Sequence, residues 1–183
     1  MQGIRFNRGK RITLLICSIV ILVLAVLLDQ WTKIYFKNYV SQNGKITVIE
    51  GFFYLTYTVN TGAAWSFLAD VAWGQTFFKI LTPIALVVFT IFYIYSYCKN
   101  YKWLQISIIL VLGGTIGNYI DRLLVNGVTD FISLVFGNYY FPVFNLADSF
   151  LVVGVIMVVV HYLFLDENAI IKKKNGKNDI TNK

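Results

Sequence analysis

Four long apolar stretches, separated by polar segments, dominate the pattern of this 183-residue chain. They cover residues 12–29, 76–98, 103–121 and 144–165. An α-helix needs about 20 mainly apolar residues to cross the hydrocarbon core of a bilayer, and each stretch is close to that length. The pattern therefore predicts a mainly α membrane protein with four transmembrane helices.

The segments between the apolar stretches have a different pattern, which is typical of β-strands. Residues 45–59 are rich in β-branched and aromatic types and partly alternate in polarity. Residues 128–135 and 139–143 flank Phe136-Gly137-Asn138, which contains a turn signal. Because open sheet edges do not occur in lipid, we expect a small β-sheet outside the bilayer. Residues 66–75 predict a short interfacial segment.

Positive charge is distributed unevenly along the chain, whose net charge is +7. Four basic residues precede the first apolar stretch, Lys99 and Lys102 lie between the second and third, and five lysines follow the fourth. Short cytoplasmic segments collect Lys and Arg, so we expect both termini in the cytoplasm and the sheet on the extracytoplasmic side. The basic clusters are interpreted as topology signals and contacts with anionic membrane lipids, and no nucleic-acid partner is expected.

Composition favours one domain without a cofactor. Hydrophobic residues make up 57% of the chain, so residues 1–165 are expected to form a single integral membrane domain, followed by a polar cytoplasmic tail at 166–183. Cys17 and Cys98 are not placed for an extracytoplasmic disulfide and lack the spacing of metal ligands. His161 is the sole histidine, which excludes a two-histidine zinc motif. We expect no metal.

Two aspartates, Asp130 and Asp148, lie beside apolar stretches, where a charge is unfavourable. On insertion scales an ionised residue at a helix centre costs about 2.5–3.5 kcal/mol, and less near the interface. Such residues are candidates for function, and paired carboxylates without a histidine or cysteine cluster point to general acid–base chemistry. Alternatively, Asp148 could cap a helix and Asp130 could be a turn residue. Their position on adjacent elements at one membrane face favours a shared function.

The third apolar stretch ends in polar residues. Gly114, Asn118 and Arg122 recur every four residues, so they share one helical face. The glycines of this segment allow another helix to approach closely. Asn118, Asp121 and Arg122 either belong to a site or form an interfacial cluster of caps and ion pairs. Arg122 stays charged, so it needs Asp121, a backbone carbonyl, substrate or water as a partner.

Two further pairs of polar residues have helical spacing. Asn145 and Asp148 lie three residues apart, on one face of the fourth predicted helix. Asp29 and Lys33 lie four residues apart at the end of the first, with the acid on the N-terminal side. That order is the favourable one for a helical ion pair.

Five blocks of this sequence resemble the lipoprotein signal peptidases, the type II bacterial signal peptidases that are intramembrane aspartyl proteases. The blocks follow the family order at family-like spacing, and the resemblance covers residues 12–165. Each block alone is a weak signal, but five in order are specific. The blocks are Asp29–Lys33, Asn60–Phe67, Gly113–Arg122, Gly127–Phe131 and Phe141–Ser149.

The resemblance implies a fold and a role for each matching residue. It implies four helices, a small extracytoplasmic β-sheet or cradle, and a short interfacial helix. It implies that Asp130 and Asp148 are the catalytic aspartates. It implies a structural role for three residues, and a role in lining or supporting the site for five others. The structural residues are Asp29, Lys33 and Asp121, and the site-supporting residues are Asn60, Gly62, Asn118, Arg122 and Asn145.

The resemblance also implies a substrate and a location. Family members cleave prolipoproteins just before a cysteine that carries diacylglyceryl, and the cyclic peptide antibiotic globomycin inhibits them. We therefore expect a monomeric enzyme of the bacterial cytoplasmic membrane, with its site near the extracytoplasmic face. Two alternatives remain open: a small membrane carrier using Asp130, Asp148 and Arg122, and a noncatalytic lipoprotein-binding protein.

Overall fold

A computed structural model describes residues 8–62 and 71–166 of the chain. Four helices in these ranges are long and apolar enough to cross a membrane. The polar tail expected at 166–183 lies almost entirely outside the described residues. Of the interfacial segment expected at 66–75, residues 66–70 lie outside them, and Gly74 and Gln75 belong to the second long helix. The helices are α1 (Arg8–Asn43), α2 (Gly74–Lys99), α3 (Lys102–Leu124) and α4 (Leu146–Val160), which a single π-helical turn continues through His161–Leu165.

Helix α1 is much longer than the apolar stretch that predicts it. It continues through Asp29 and Lys33 to Asn43, so this pair lies inside the helix and not at its end. Residues 30–43 contain no glycine or proline, and hence nothing in the local sequence stops the helix. The helix ends just before Gly44, whose φ is +76° and whose N–H donates to the carbonyl of Val40. This left-handed glycine is a common helix terminator.

Helix α3 lies at the centre of the bundle. Its most apolar segment is 67% buried, whereas the corresponding segments of the other three helices are at most 17% buried. Leu104, Ile108, Ile109 and Leu112 form its buried core cluster. The other helices therefore present most of their surface to the outside of the bundle, with many exposed Val, Ile and Leu side chains.

Glycines of α3 allow its neighbours to approach closely at one level of the bundle. A Cβ atom on Gly114 would collide with the backbone oxygen of Ala147 at the start of α4. A Cβ atom on Gly117 would collide with the carboxylate of Asp29 on α1. The close approach predicted for this glycine-containing segment is therefore present, and it brings α1, α3 and the start of α4 together.

The connecting segments form one antiparallel sheet with strand order β1-β2-β3-β4. Both predicted hairpins are present, and Gly51 and Gly137 take positive φ in their turns. The last strand is shorter than the predicted 139–143. Pro142 lacks an N–H for the ladder, and pairing resumes only in a bridge between Phe144 and Ile132. The strands are β1 (Ile46–Ile49), β2 (Phe53–Asn60), β3 (Val128–Phe136) and β4 (Tyr139–Tyr140).

The sheet lies at one end of the helical bundle. One hairpin follows the C-terminal end of α1, and the other connects the C-terminal end of α3 to the N-terminal end of α4. Stacking of Phe36 on α1 against Phe131 on β3, with ring centroids 4.8 Å apart, attaches the sheet to the helices. The predicted fold class, a four-helix membrane protein with a small sheet, is confirmed.

Candidate active site

Asp130 lies in the sheet at its junction with the helices. It is on β3, paired with Thr58 of β2, and its side chain is only 2% exposed. Two amides donate to its carboxylate. Asn60 Nδ2 lies 3.2 Å from Oδ2, and Asn145 Nδ2 lies 2.7 Å from Oδ1. Asp130 is therefore part of a strand, and the alternative reading as a turn residue is wrong.

Asp148 lies in the first turn of α4 and forms a capping box with Asn145. The Asp148 N–H donates to Asn145 Oδ1 at 2.9 Å, and the Asn145 N–H donates to Asp148 Oδ2 at 3.2 Å. The cap interpretation of Asp148 is thus correct as a local role. The carboxylate has a second partner, because Asn118 Nδ2 on α3 donates to Oδ1 at 2.8 Å. The cap holds this carboxylate at the edge of the site.

Asn145 connects the two aspartates. It is fully buried, with its backbone N–H on Asp148 and its side-chain NH₂ on Asp130. The same NH₂ also lies 3.1 Å from Asn118 Oδ1 and 3.2 Å from the Thr129 carbonyl. The two carboxylates therefore share one bridging residue, although 18 positions separate them in the sequence.

Burial and the neighbouring aspartate change the acidity of Asp130. Loss of solvent raises the pKa of its carboxyl first, and the negative charge of Asp148 raises it further. Hydrogen bonds from Asn60 and Asn145 and the charge of Lys33 lower it only in part, leaving a pKa of about 7. A carboxyl of this pKa exists in both protonation states near neutral pH, which is what general acid–base chemistry requires.

A buried polar layer lies beneath the two aspartates. Lys33 Nζ is 2.8 Å from Asp29 Oδ2 and 3.6 Å from Asp121 Oδ2, and it donates to Asn118 Oδ1 at 3.0 Å. Asp121 also accepts the N–H of Thr129 at 2.8 Å. The predicted ion pair between Asp29 and Lys33 is therefore present. It is fully buried, and the lysine reaches the asparagine that holds Asp148.

Gly62 contacts Asn60, and Arg122 in turn contacts Gly62. The Gly62 N–H donates to Asn60 Oδ1 at 2.9 Å, and the Gly62 carbonyl lies 3.4 Å from Arg122 Nη2. Arg122 also faces the carbonyl of Asn118 at 3.4 Å and the ring of Phe78 at 5.0 Å. Among the described residues it forms no ion pair, so backbone carbonyls are its partners, one of the options left open by the sequence.

Gln30 is a site residue that sequence reasoning did not single out. Its side-chain NH₂ lies 3.0 Å from Asp121 Oδ1, 3.0 Å from the Gly117 carbonyl and 3.2 Å from Asp29 Oδ2. It thereby connects α1 to α3 beside Lys33. The available signal was an amide adjacent to Asp29, in a helix that continues past the apolar stretch.

The arrangement thus gathers every predicted site residue at one end of the bundle. Neither cysteine is close to it; Cys17 and Cys98 are free thiols exposed on the helix surfaces. Within residues 8–62 and 71–166, no three His, Cys, Asp or Glu side chains are grouped so as to hold a metal ion. The chemistry present is that of two neighbouring carboxylates surrounded by amide donors.

Comparisons with known proteins identify the family of this chain. Residues 21–164 match the family described as signal peptidase (SPase) II. A lipoprotein signal peptidase of Listeria welshimeri is 44% identical over 148 residues, which cover 80% of this chain and 93% of the relative. One of Enterococcus faecalis is 44% identical over 168 residues, covering 90% and 98%.

Two solved structures are also similar to this chain. A structure described as a bacterial membrane enzyme has 35% sequence identity and a TM-score of 0.65, covering 82% of this chain and 94% of its own. A second such structure, also 35% identical, has a TM-score of 0.64. The family match at residues 21–164 includes every predicted site residue, and the chain therefore belongs to the signal peptidase II family, whose members are aspartic proteases.

Proposed function

We propose that Asp130 and Asp148 are the catalytic aspartates of a peptidase that removes the signal peptide from prolipoproteins. One observation carries this assignment: Asn145 bridges the two carboxylates, which lie where the sheet meets the helices. Membership of an aspartic protease family supports it, since such enzymes need two neighbouring carboxylates. The alternative of a small membrane carrier is not supported, because the chain belongs to an aspartic protease family and the two carboxylates share a bridging residue.

The reaction follows from a shared proton. Two close carboxylates do not both ionise readily, so near neutral pH the pair holds one proton and titrates as a unit. The ionised member takes a proton from water, whose oxygen attacks the carbonyl carbon of the scissile peptide bond. The protonated member donates to the carbonyl oxygen. As the tetrahedral intermediate collapses, the C–N bond breaks, the leaving amine takes a proton from one aspartate, and the other aspartate takes a hydroxyl proton of the intermediate, so that the pair again holds one proton.

The surrounding amides have separate roles in this proposal. Asn60 and Asn145 hold Asp130, and Asn118 holds Asp148. Arg122 remains charged beside the site, with two long contacts to backbone carbonyls. We infer that it is available to substrate carbonyl groups and that it also holds the segment around Gly62. Since the mechanism uses only carboxylates and water, chelators such as EDTA should leave the rate unchanged.

The substrate and location of the family are carried over as part of the proposal. We infer cleavage just before the diacylglyceryl-modified cysteine, inhibition by globomycin, and action as a monomer. Both termini would be cytoplasmic, so that the sheet and the two aspartates lie at the extracytoplasmic face. Exposed apolar helix surfaces beside the site would accommodate the acyl chains of the substrate and the membrane lipids.

A cleavage assay with two substrates tests this function. The purified protein in detergent would receive the same prolipoprotein with and without the diacylglyceryl group, and the products would be weighed by mass spectrometry. The proposal predicts cleavage before the modified cysteine only, and its loss on addition of globomycin. Equal cleavage of both substrates, or cleavage at another bond, would contradict the assigned specificity.

A further inference from the structure

Lys33 has a position that an ion pair with Asp29 does not by itself explain. Its ammonium group is buried, 3% exposed, and faces three oxygen atoms. These are Asp29 Oδ2 at 2.8 Å, Asn118 Oδ1 at 3.0 Å and Asp121 Oδ2 at 3.6 Å. An ammonium group has three donors and no acceptor, so it can only donate to these oxygens. The first two lie within hydrogen-bond distance, and Asp121 Oδ2 lies at ion-pair distance.

Lys33 determines which way the amide of Asn118 points. The oxygen and nitrogen of an asparagine amide are nearly isosteric, so neighbouring groups fix the orientation. Because Lys33 can only donate, the Asn118 atom that faces it must be the oxygen. Asn145 Nδ2, at 3.1 Å, donates to the same oxygen. The NH₂ group of Asn118 is thereby directed to Asp148 Oδ1 at 2.8 Å.

The opposite orientation of this amide would disrupt the site. It would place the Asn118 oxygen against the Asp148 carboxylate, where two acceptors repel, and remove the side-chain donor that Asp148 has in this structure. Without Lys33, the contact from Asn145 and the repulsion by Asp148 itself would be left to oppose that rotation, and Asn145 also donates to Asp130 and the Thr129 carbonyl.

Asp29 makes the same connection through the backbone. Its Oδ1 accepts the N–H of Ala147, the residue before Asp148, at 2.9 Å, while its Oδ2 holds Lys33. Gly117 leaves room for this carboxylate against α3. The Asp29–Lys33 ion pair therefore contacts two groups beside Asp148: the side chain of Asn118 and the backbone N–H of Ala147.

We propose that Lys33 is a positioning residue for peptide cleavage, acting through the amide of Asn118 on Asp148. This role goes beyond the structural ion pair, and it rests on the proposed catalytic role of Asp148. Loss of the lysine donor should reduce the rate of the chemical step without weakening substrate binding.

Paired substitutions test the proposal without leaving Asp29 or Lys33 as an unpaired buried charge. Asp121 loses its contact with Lys33 in the test and control variants alike, so this loss is matched between them. Asp29→Asn/Lys33→Met removes both charges and the donor to Asn118, while the new asparagine keeps an oxygen for the Ala147 N–H. Asp29→Asn/Lys33→Gln is the matched control, because it has the same charge but retains a side-chain NH₂. We expect kcat to fall about 10- to 100-fold in the methionine variant, as for a misplaced catalytic group. KM and Tm should match those of the control.

A double-mutant cycle shows whether Lys33 acts through Asn118. Adding the methionine pair to Asn118→Ala should lower kcat no further, since the amide that Lys33 orients is already gone. Full kcat in the methionine variant, or an additive loss in the cycle, overturns the proposal. If Asp29→Asn/Lys33→Met does not fold, the control Asp29→Asn/Lys33→Gln tests the proposal instead. It should keep most of wild-type kcat, and a loss as large as that of Asn118→Ala also overturns the proposal.

The Asp148→Asn variant separates failure of this inference from failure of the proposed function. Activity in Asp148→Asn would contradict the catalytic assignment itself, whatever the Lys33 variants do. An inactive Asp148→Asn together with a fully active methionine variant would contradict the positioning role alone.

Discussion

At the scale of residues, the site pairs its carboxylates with amides and not with cations. Asp130 and Asp148 accept from asparagine side chains and make no ion pair among the described residues. A cation in direct contact would lower the pKa of an aspartate and fix its negative charge. Neutral donors hold the carboxylates in place and still let burial raise the pKa of Asp130 to about 7. The pair can therefore both accept and donate a proton.

The raised pKa of Asp130 predicts a pH dependence of stability. Its folded-state pKa of about 7 lies above the ordinary value of 3.8, so the folded protein binds this proton more tightly than the unfolded chain. This contribution is fully present below pH 3.8 and is lost as the pH rises to about 7. Asp130→Asn cannot titrate, so its Tm should fall less between pH 4 and pH 8 than the wild-type Tm.

Thermal unfolding in detergent across this pH range measures the effect. Glu50→Gln removes an exposed carboxylate from the turn between β1 and β2, and it should keep the wild-type pH slope. An Asp130→Asn variant with the same slope as wild type would show that Asp130 has an ordinary pKa.

At the scale of elements, the site depends on close packing of α3 against α1 and α4. Helical spacing in the sequence predicted that Asn118 and Arg122 share a face, and that Asn145 and Asp148 do. Helical spacing also predicted the Asp29–Lys33 pair, and strand-type patterns with turn signals predicted both hairpins. It could not predict contacts between elements, such as Lys33 with Asn118, which are 85 positions apart. The glycines indicated close packing but not which helix approaches.

Replacing Gly114 tests this dependence on close packing. A Cβ atom there would collide with the Ala147 carbonyl and lie 2.8 Å from Leu151 Cγ. Gly114→Ala should therefore push the start of α4 away from α3 and cost about 1–3 kcal/mol, as overpacking does. Because Asp148 lies in the first turn of α4, cleavage activity should also fall. Ile106→Ala, at a 42% exposed position of the same helix, is the control and should affect neither property.

Tm in detergent and the initial cleavage rate are the two measurements. Wild-type Tm and activity in Gly114→Ala would contradict the packing argument.

At the scale of the whole molecule, the fold places all the predicted site residues at one end. The sheet lies at that end, and the turn between α2 and α3 lies at the other. The sequence predicted this division from the number of spans and the positions of Lys and Arg. It did not predict the extension of α1 to Asn43, because an apolar stretch marks where a helix lies in lipid and not where it ends.

The proposed orientation predicts which end faces the outside of the cell. In a variant lacking both native cysteines, Asn138→Cys in the β3–β4 turn should react with a membrane-impermeant maleimide added to intact cells. Lys99→Cys at the end of α2 should react only after the cells are opened. Both positions are exposed, so accessibility depends on the side of the membrane. The reverse labelling pattern would place the two aspartates at the cytoplasmic face.

The most direct test of the central claim is a gel-shift cleavage assay with three proteins. Wild type, Asp130→Asn and Asp148→Asn would be purified in detergent and given diacylglyceryl-modified prolipoprotein, with folding checked by thermal unfolding. We expect cleavage by wild type and none by either folded variant, since each substitution removes one of the two proton-exchanging groups. Full activity in either variant would contradict the assignment of Asp130 and Asp148 as the catalytic pair.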